Sequence, residues 1–318
     1  MPDYRIEPLN DAVFGELSPL MRDAFGDDVN ASYFEWKYRG NPAGPAIGNI
    51  ARDPSDGQIA AFYGMIPEVY RFGQTGKRRV YQSCDTMTHS RHRRKGLFQT
   101  LALRTYEQAL SDDPNFFAYG FGGPTSTPGF HKMGWRTLLE LPNYFHPFPL
   151  TMLNLKGGDH RSVSHRDAVS DGLIAMMMHS GPAEGSGVAR DEQFLRWRLA
   201  NPSRTYHYLI DADRAYAIFT ASPGFLFLID FWEAEAGMGR NVWDALRRKA
   251  LSPRTKGVLS MAAPGSDLAA RLKRYSFFRN PFNRGPASGT TPYIAFGTAP
   301  LPDASEKWQI SPLDHDSF

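Results

Sequence analysis

Thr88-His-Ser-Arg-His-Arg-Arg-Lys-Gly-Leu-Phe98 is the stretch on which the fold turns. Four of the five residues from Arg91 to Lys95 are cationic, and Gly96 follows at once. Upstream, Arg79 to Thr88 reads as a strand. Downstream, Leu97, Phe98, Leu101, Ala102, Tyr106, Ala109 and Leu110 recur at helical spacing. A strand, a basic glycine-containing loop and a helix start make a device for holding anions. The first N–H groups of a helix lack internal acceptors and carry the positive end of its dipole. Gly96 allows the backbone a close approach, and Arg93, Arg94 and Lys95 add charge suited to a pyrophosphate. The competing reading is a solvated basic loop.

Outward from this loop, helix and strand signals alternate. Asp11–Phe25 and Ala31–Tyr38 read as helices, the second broken at Arg39-Gly-Asn-Pro42. Ile47–Arg52, Ile59–Phe72 and Arg79–Thr88 read as a strand meander. After the central helix come a strand Phe116–Phe121, a short helix Thr125–Met133, and one or two strands in Trp135–Phe148. Gly157–Asp171 and Gly181–Gly187 carry few structural signals. Beyond them, Asp191-Glu-Gln-Phe-Leu-Arg-Trp-Arg-Leu-Ala-Asn-Pro202 repeats the pattern of Ser32-Tyr-Phe-Glu-Trp-Lys-Tyr-Arg-Gly-Asn-Pro42. The later order of elements repeats too: strands at Tyr206–Ile210, Ala215–Thr220 and Phe225–Trp232, then a helix Val242–Leu251, a strand Gly257–Ala262, a helix Ser266–Tyr275 and a strand Pro292–Phe296. A repeat at this scale means two copies of one domain. We expect an α+β (mixed α/β) chain: residues 1–155 one domain, 156–188 a flexible linker, and 189–318 a second copy.

Composition bounds the rest. The 318 residues are 42% hydrophobic and 22% charged, enough apolar content for two packed cores. No apolar run approaches the ~20 residues of a membrane span, and the N-terminus lacks a signal-peptide core. A lone cysteine, Cys84, excludes an internal disulfide framework and a cysteine-based zinc cluster. A net charge of +3 does not point to nucleic acid. These features together suggest a cytoplasmic protein with no membrane or nucleic-acid partner. His89 and His92 sit in the most cationic part of the chain, which disfavours a metal there, and we expect no metal site. The P-loop, G-x-G-x-x-G and G-x-S-x-G patterns are absent.

The loop Thr88–Phe98 resembles the acyl-CoA motif of the GNAT superfamily of N-acyltransferases. Arg93 takes the Arg position and Gly96 the first Gly of an Arg-x-x-Gly-x-Gly/Ala core. Phe98 stands in place of the second Gly/Ala, and Ser90 in place of the common Pro. Gly129-Phe-His-Lys-Met-Gly-Trp135 is similar to the family's second motif, a helix ending in Tyr-x-x-x-Gly-Phe. The resemblance covers roughly residues 1–150. It implies two GNAT-like domains, each a mostly antiparallel, splayed mixed sheet flanked by helices. It also implies an acyl-CoA co-substrate, acetyl-CoA or another acyl-CoA. Met87 and Thr88 would pair with its pantetheine arm, and the backbone of Arg93, Arg94, Lys95, Gly96, Leu97 and Phe98 would hold its pyrophosphate. The thioester would lie where the strands ending at Thr88 and Phe121 splay apart.

N-acylation needs a neutral amine, a group to take its proton and, commonly, a donor for the leaving thiolate. The family's usual Tyr donor falls at Phe130, so His131, Tyr119 and Ser126 are the nearby candidates. Asp85, a carboxylate inside a half-buried strand, is the expected base; ion pairing with Arg78 or Arg79 is the alternative. Trp36 and Trp135, with Tyr144, are candidate walls of a substrate pocket. In the second copy, Glu233 and Glu235 replace the cationic run, which implies lost cofactor binding. The expected reaction is acyl transfer to a primary amine of a small molecule, for which larger relatives suggest an amino sugar. The rival readings are a non-catalytic acyl-CoA sensor, favoured by Phe130, and a protein N-acetyltransferase.

Overall fold

A computed structural model describes residues 4–73, 76–147, 160–181, 184–251, 255–280, 289–298 and 306–316. The N-terminal half runs β1 (Arg5–Pro8), α1 (Phe14–Phe25), α2 (Ala31–Phe34), a π-helical turn (Glu35–Arg39), β2 (Ile47–Arg52), β3 (Ile59–Arg71), β4 (Lys77–Thr88), α3 (Leu97–Asp112), β5 (Phe117–Phe121), α4 (Thr127–Lys132) and β6 (Arg136–Pro147). The C-terminal half repeats this order as β7 (Ser164–Arg166), α5 (Asp171–His179), β8 (Gly187–Val188), α6 (Glu192–Leu199), β9 (Tyr206–Asp211), β10 (Ala215–Ser222), β11 (Phe225–Glu233), α7 (Arg240–Lys249), β12 (Gly257–Met261), α8 (Asp267–Arg274), β13 (Phe278–Arg279) and β14 (Thr290–Gly297). No helix among the described residues is long and apolar enough to cross a membrane.

Local chemistry sets the helix ends. Asn30 caps α2 by accepting from the Ser32 N–H, and Asp191 caps α6 by accepting from Phe194. Helix α1 buries Leu17, Leu20 and Met21 and stops at Gly26, whose left-handed φ of 79° closes the last turn onto the Arg22 carbonyl.

The strands form one continuous sheet in the order β1-β2-β3-β4-β5-β14-β6-β12-β11-β10-β9-β7. Within each half the single parallel pair falls at the same place: β4 with β5, and β11 with β12. The halves also exchange strands. β14 lies between β5 and β6, pairing with both. The distal part of β6, Asn143–Pro147, pairs in turn with β12, and β13 flanks it. Residues 290–297 therefore complete the N-terminal sheet and residues 143–147 the C-terminal one.

The stretch 156–188 is corrected in one respect. Positions 156–159 lie outside the described residues, as does Phe148, but 160–181 are folded. β7 pairs with β9, and α5 buries Leu173, Ile174 and Met177 in the core shared by the two halves. The apolar run of α5 is too short, between polar flanks, to announce itself by periodicity.

The sequence repeat marks the approximate two-fold relation between the halves. Trp36 and Trp197 stack with ring centres 5.1 Å apart. Each indole N–H donates to the other's backbone carbonyl, at 2.7 and 2.8 Å. Trp36 is thus an inter-half contact, not the wall of a pocket.

Candidate active site

β4 and β5 are paired only at Tyr81–Ala118, Gln82–Tyr119 and Ser83–Gly120. Beyond Ser83 they separate, and the gap opens a cleft of about 670 Å³. Ser83 to Thr86 line one wall and Gly120 to Gly123 the other. A β-bulge helps to part them: Cys84 pairs with Gly64 and Met87 with Phe62, so Asp85 and Thr86 together face Tyr63. Asp85 takes a left-handed φ of 45° there, an uncommon conformation for a side-chain-bearing residue.

Asp85 lies at the cleft, buried and multiply held. It accepts from Lys37 Nζ at 2.8 Å and from the Tyr38 hydroxyl at 2.6 Å. Lys37, itself buried, also reaches Asp316 at 3.0 Å. Neither Arg78 nor Arg79 pairs with Asp85, contrary to the alternative expected above; those guanidiniums lie over Phe72 and Tyr81. Two carboxylates around one ammonium leave one negative charge in excess, and they share its effect unequally. Burial pushes the Asp85 carboxyl up, whereas the Lys37 ammonium holds Asp316 below the usual carboxylate value.

Asp316 and His315 come from the far end of the chain, and sequence reasoning missed both. The segment is fastened to both halves. Arg190 pairs with Asp314 at 2.7 Å, Arg198 donates to the carbonyls of Leu313 and His315, and Gln82 donates to the Asp314 carbonyl at 2.7 Å. The His315 ring stacks on Phe121 at 4.1 Å, at the end of β5. Burial lowers its pKa to about 4, so the imidazole is neutral near pH 7. Asp27, Asp28, Asp85 and Asp316 line the cleft against one cation, Arg204. No motif marks the terminal residues, because only the path of the chain brings them there.

A second cavity, of about 250 Å³, adjoins the end of β4. Thr88, Arg93, Arg94, Lys95, Gly96, Leu97, Phe98, Gly129 and Lys132 are among its lining. Arg93, Arg94, Lys95 and Gly96 are exposed, and no side chain caps α3. Arg94 and Gly96 take left-handed φ of 63° and 77° to turn the loop into the helix. His92 is buried behind the loop, bonded to the Tyr4 hydroxyl at 2.8 Å, and Ser90 is anchored on Asp23. Lys95 Nζ donates to the same Tyr4 hydroxyl at 3.1 Å. The two cavities share the free edge of β4: Thr86 lines the cleft and Thr88 the basic cavity. On α4, Phe130 lines the cleft and Gly129 the basic cavity. Met87 is buried in the core.

Three expected residues lie elsewhere. His131 is on the exposed side of α4, bonded to Thr137 at 3.0 Å, because the helix turns Phe130 inward and its neighbour out. Tyr119 points into the core, where its hydroxyl donates to Glu68; alternation along β5 puts it on the opposite face from Gly120. Trp135 is buried with Tyr106, Phe130 and Phe296, its N–H donating to the Tyr106 hydroxyl at 2.9 Å. Ser126 does line the cleft, whereas Tyr144 is buried in the C-terminal core.

The matching place in the C-terminal half is filled from within. Glu233, at the end of β11, accepts from the backbone N–H groups of Gly237 and Gly239 at 3.0 Å each. It also accepts from the Tyr275 hydroxyl at 2.6 Å and pairs with Arg274. An internal carboxylate thus takes the donors ahead of α7 that a phosphate would need.

Residues 5–138 match the family model described as "Acetyltransferase (GNAT) domain". No curated protein matches the chain. Solved structures with the same fold include a tandem GNAT protein from the clavulanic acid biosynthesis pathway, 12% identical, with a TM-score of 0.64 over 94% of this chain and 100% of that one. A probable N-acyltransferase from Enterococcus faecalis is 14% identical, with a TM-score of 0.62 over 92% of this chain and 72% of that one. A GCN5-related N-acetyltransferase from Anabaena variabilis is 12% identical, with a TM-score of 0.63 and the same coverage.

Proposed function

We propose that residues 5–138, which match a GNAT acetyltransferase domain model, transfer an acyl group from acyl-CoA to a primary amine of a small molecule. The observation that carries the reading is the adjacency of two cavities along β4, one basic at Thr88 and one acidic at Asp85. The basic cavity offers the uncapped start of α3, with Arg93, Arg94 and Lys95, to a pyrophosphate. The splay beyond Ser83 then receives the thioester, with acetyl-CoA the first donor to test.

The acidic lining of the cleft suits an acceptor that arrives as an ammonium ion. Asp85 is the proposed base. Its raised pKa makes it a better proton acceptor than an ordinary carboxylate. In the reaction the amine nitrogen bonds to the thioester carbon, the C–S bond breaks and its electrons leave on the CoA sulfur. Asp85 takes the ammonium proton so that the neutral amine can attack, and the second N–H proton, lost as the amide forms, passes to the departing CoA thiolate. Phe130 supplies no donor, so the thiolate leaves without help from that position. The same absence is what favours the second reading, an acyl-CoA-binding sensor.

Free-thiol release from acetyl-CoA with a panel of small amines tests the proposal. We expect turnover with at least one cationic amine. Asp85→Asn should lower kcat at least tenfold, with CoA affinity and melting temperature retained. CoA binding without turnover would favour the sensor, and failure to bind CoA would overturn both readings.

A further inference from the structure

We propose that His165, Asp167 and His207 form a binding site for a divalent transition-metal ion of the imidazole-preferring class, with Zn²⁺ as its representative. The site lies in the C-terminal half and is independent of acyl transfer. β7 pairs with β9 in the register Ser164–Ile210, His165–Leu209 and Arg166–Tyr208. One further step sets Asp167 opposite His207. Side chains on a strand alternate, so His165, Asp167 and His207 emerge on one face. Asp167 Oδ1 is 2.7 Å from His207 Nδ1 and 3.5 Å from His165 Nε2. The three ligand atoms all lie within 4.8 Å of one another, the single such group among the described residues.

Tetrahedral ligands about 2.0–2.2 Å from a zinc ion stand roughly 3.3 Å from each other. The two separations from Asp167 bracket that value, and the three ligand atoms are near enough for side-chain rotation to bring them onto one ion. Two nitrogens and one carboxylate oxygen suit Zn²⁺, Ni²⁺ or Cu²⁺ and not Mg²⁺ or Ca²⁺, which take oxygen ligands. Phe219 stacks on the His207 ring at 5.2 Å and limits its orientation. Lys249 lies close enough to act on His165 and weakens cation affinity. His89 and His92 offer the contrast. Asp23 and Asp53 stand beside them, but the flanking Arg91, Arg93, Arg94 and Lys95 repel a cation.

The location indicates the role. β7 is the last strand of the sheet and only three residues long. Its position, seven strands from β5 in the sheet order, sets the site apart from the cleft. A metal joining His165 and Asp167 to His207 would clamp this short edge strand onto β9 and stabilise the folded state by linkage.

The test uses tag-free, full-length protein. Calorimetric titration with ZnCl₂ should show one ion per chain, and saturating Zn²⁺ should raise the melting temperature. His165→Ala and His207→Ala should each weaken binding at least tenfold, and the Cu²⁺ complex should show a two-nitrogen electron paramagnetic resonance pattern. Thiol release should be unaffected, and a His89→Ala/His92→Ala control should bind Zn²⁺ as the unaltered chain does. Absence of stoichiometric binding, or binding that survives His165→Ala/His207→Ala, would overturn the proposal.

Discussion

At the scale of single residues, buried charge is concentrated beside the cleft. Lys37 is held between Asp85 and Asp316; loss of Lys37 would strand two buried carboxylates, whereas Asp85→Asn leaves Lys37 paired with Asp316 and no charge uncompensated. Glu68, on β3, has no cation bonded to it among the described residues. Burial pushes its carboxyl up to about 8, despite the hydrogen bond from Tyr119 that favours the ionised form. An unfolded Glu titrates near 4.3, so the folded chain holds this proton where the unfolded chain has lost it. The resulting stability is complete below the unfolded value and is lost as pH rises through about 8. Glu68→Gln keeps the neutral shape without the titration. Melting curves from about pH 5 to about pH 9 should decline less for this variant than for the unaltered chain. Parallel declines would show that Glu68 does not titrate in this window.

At the scale of elements, one arrangement has two outcomes. β4 leads through an exposed basic loop into α3, and β11 leads through a short loop into α7. In the first the helix start is open and the cations are exposed; in the second Glu233 takes the backbone donors itself. Arg93→Glu/Arg94→Glu should therefore abolish CoA binding, read by calorimetry, while leaving the melting temperature within a few degrees, since both side chains are exposed. Unchanged affinity would place the cofactor elsewhere. A CoA stoichiometry of one per chain follows from the same comparison. The lone helical motif was legible because charge, glycine and helical period coincide within eleven residues. The internal cap was legible only in sign: Glu233 opposes a phosphate, but its bonds to Gly237 and Gly239 are a matter of folding.

At the scale of the whole molecule, the halves are interlaced. β14 supplies the strand between β5 and β6, β6 reaches across to β12, and the segment ending at Asp316 lines the N-terminal cleft. Residues 1–147 alone would leave the edges of β5 and β6 unpaired and would lack both His315 and Asp316. We expect that fragment to be aggregated or unfolded, and inactive, when assayed by circular dichroism and thiol release. A stable fragment that releases thiol from acetyl-CoA would show that the second half is dispensable.

The sequence by itself determined the class of fold, the duplication and the place of the basic loop. Each of those is written in local periodicity or in a short motif, where neighbours in the chain are neighbours in space. The position of Asp85 beside the cleft was legible as well, since a carboxylate in an apolar strand is conspicuous. His131 and Tyr119 face away from the cleft because helix and strand phase decide which way a side chain points, and Trp135 because it packs into the core with Tyr106, Phe130 and Phe296. Only the tertiary structure decided the exchanged strands, the Lys37–Asp85–Asp316 triad, the entry of His315 into the cleft and the meeting of His165 and Asp167 with His207. These depend on contacts between residues far apart in sequence, and the burial that selects such contacts exists only once the chain has closed on itself.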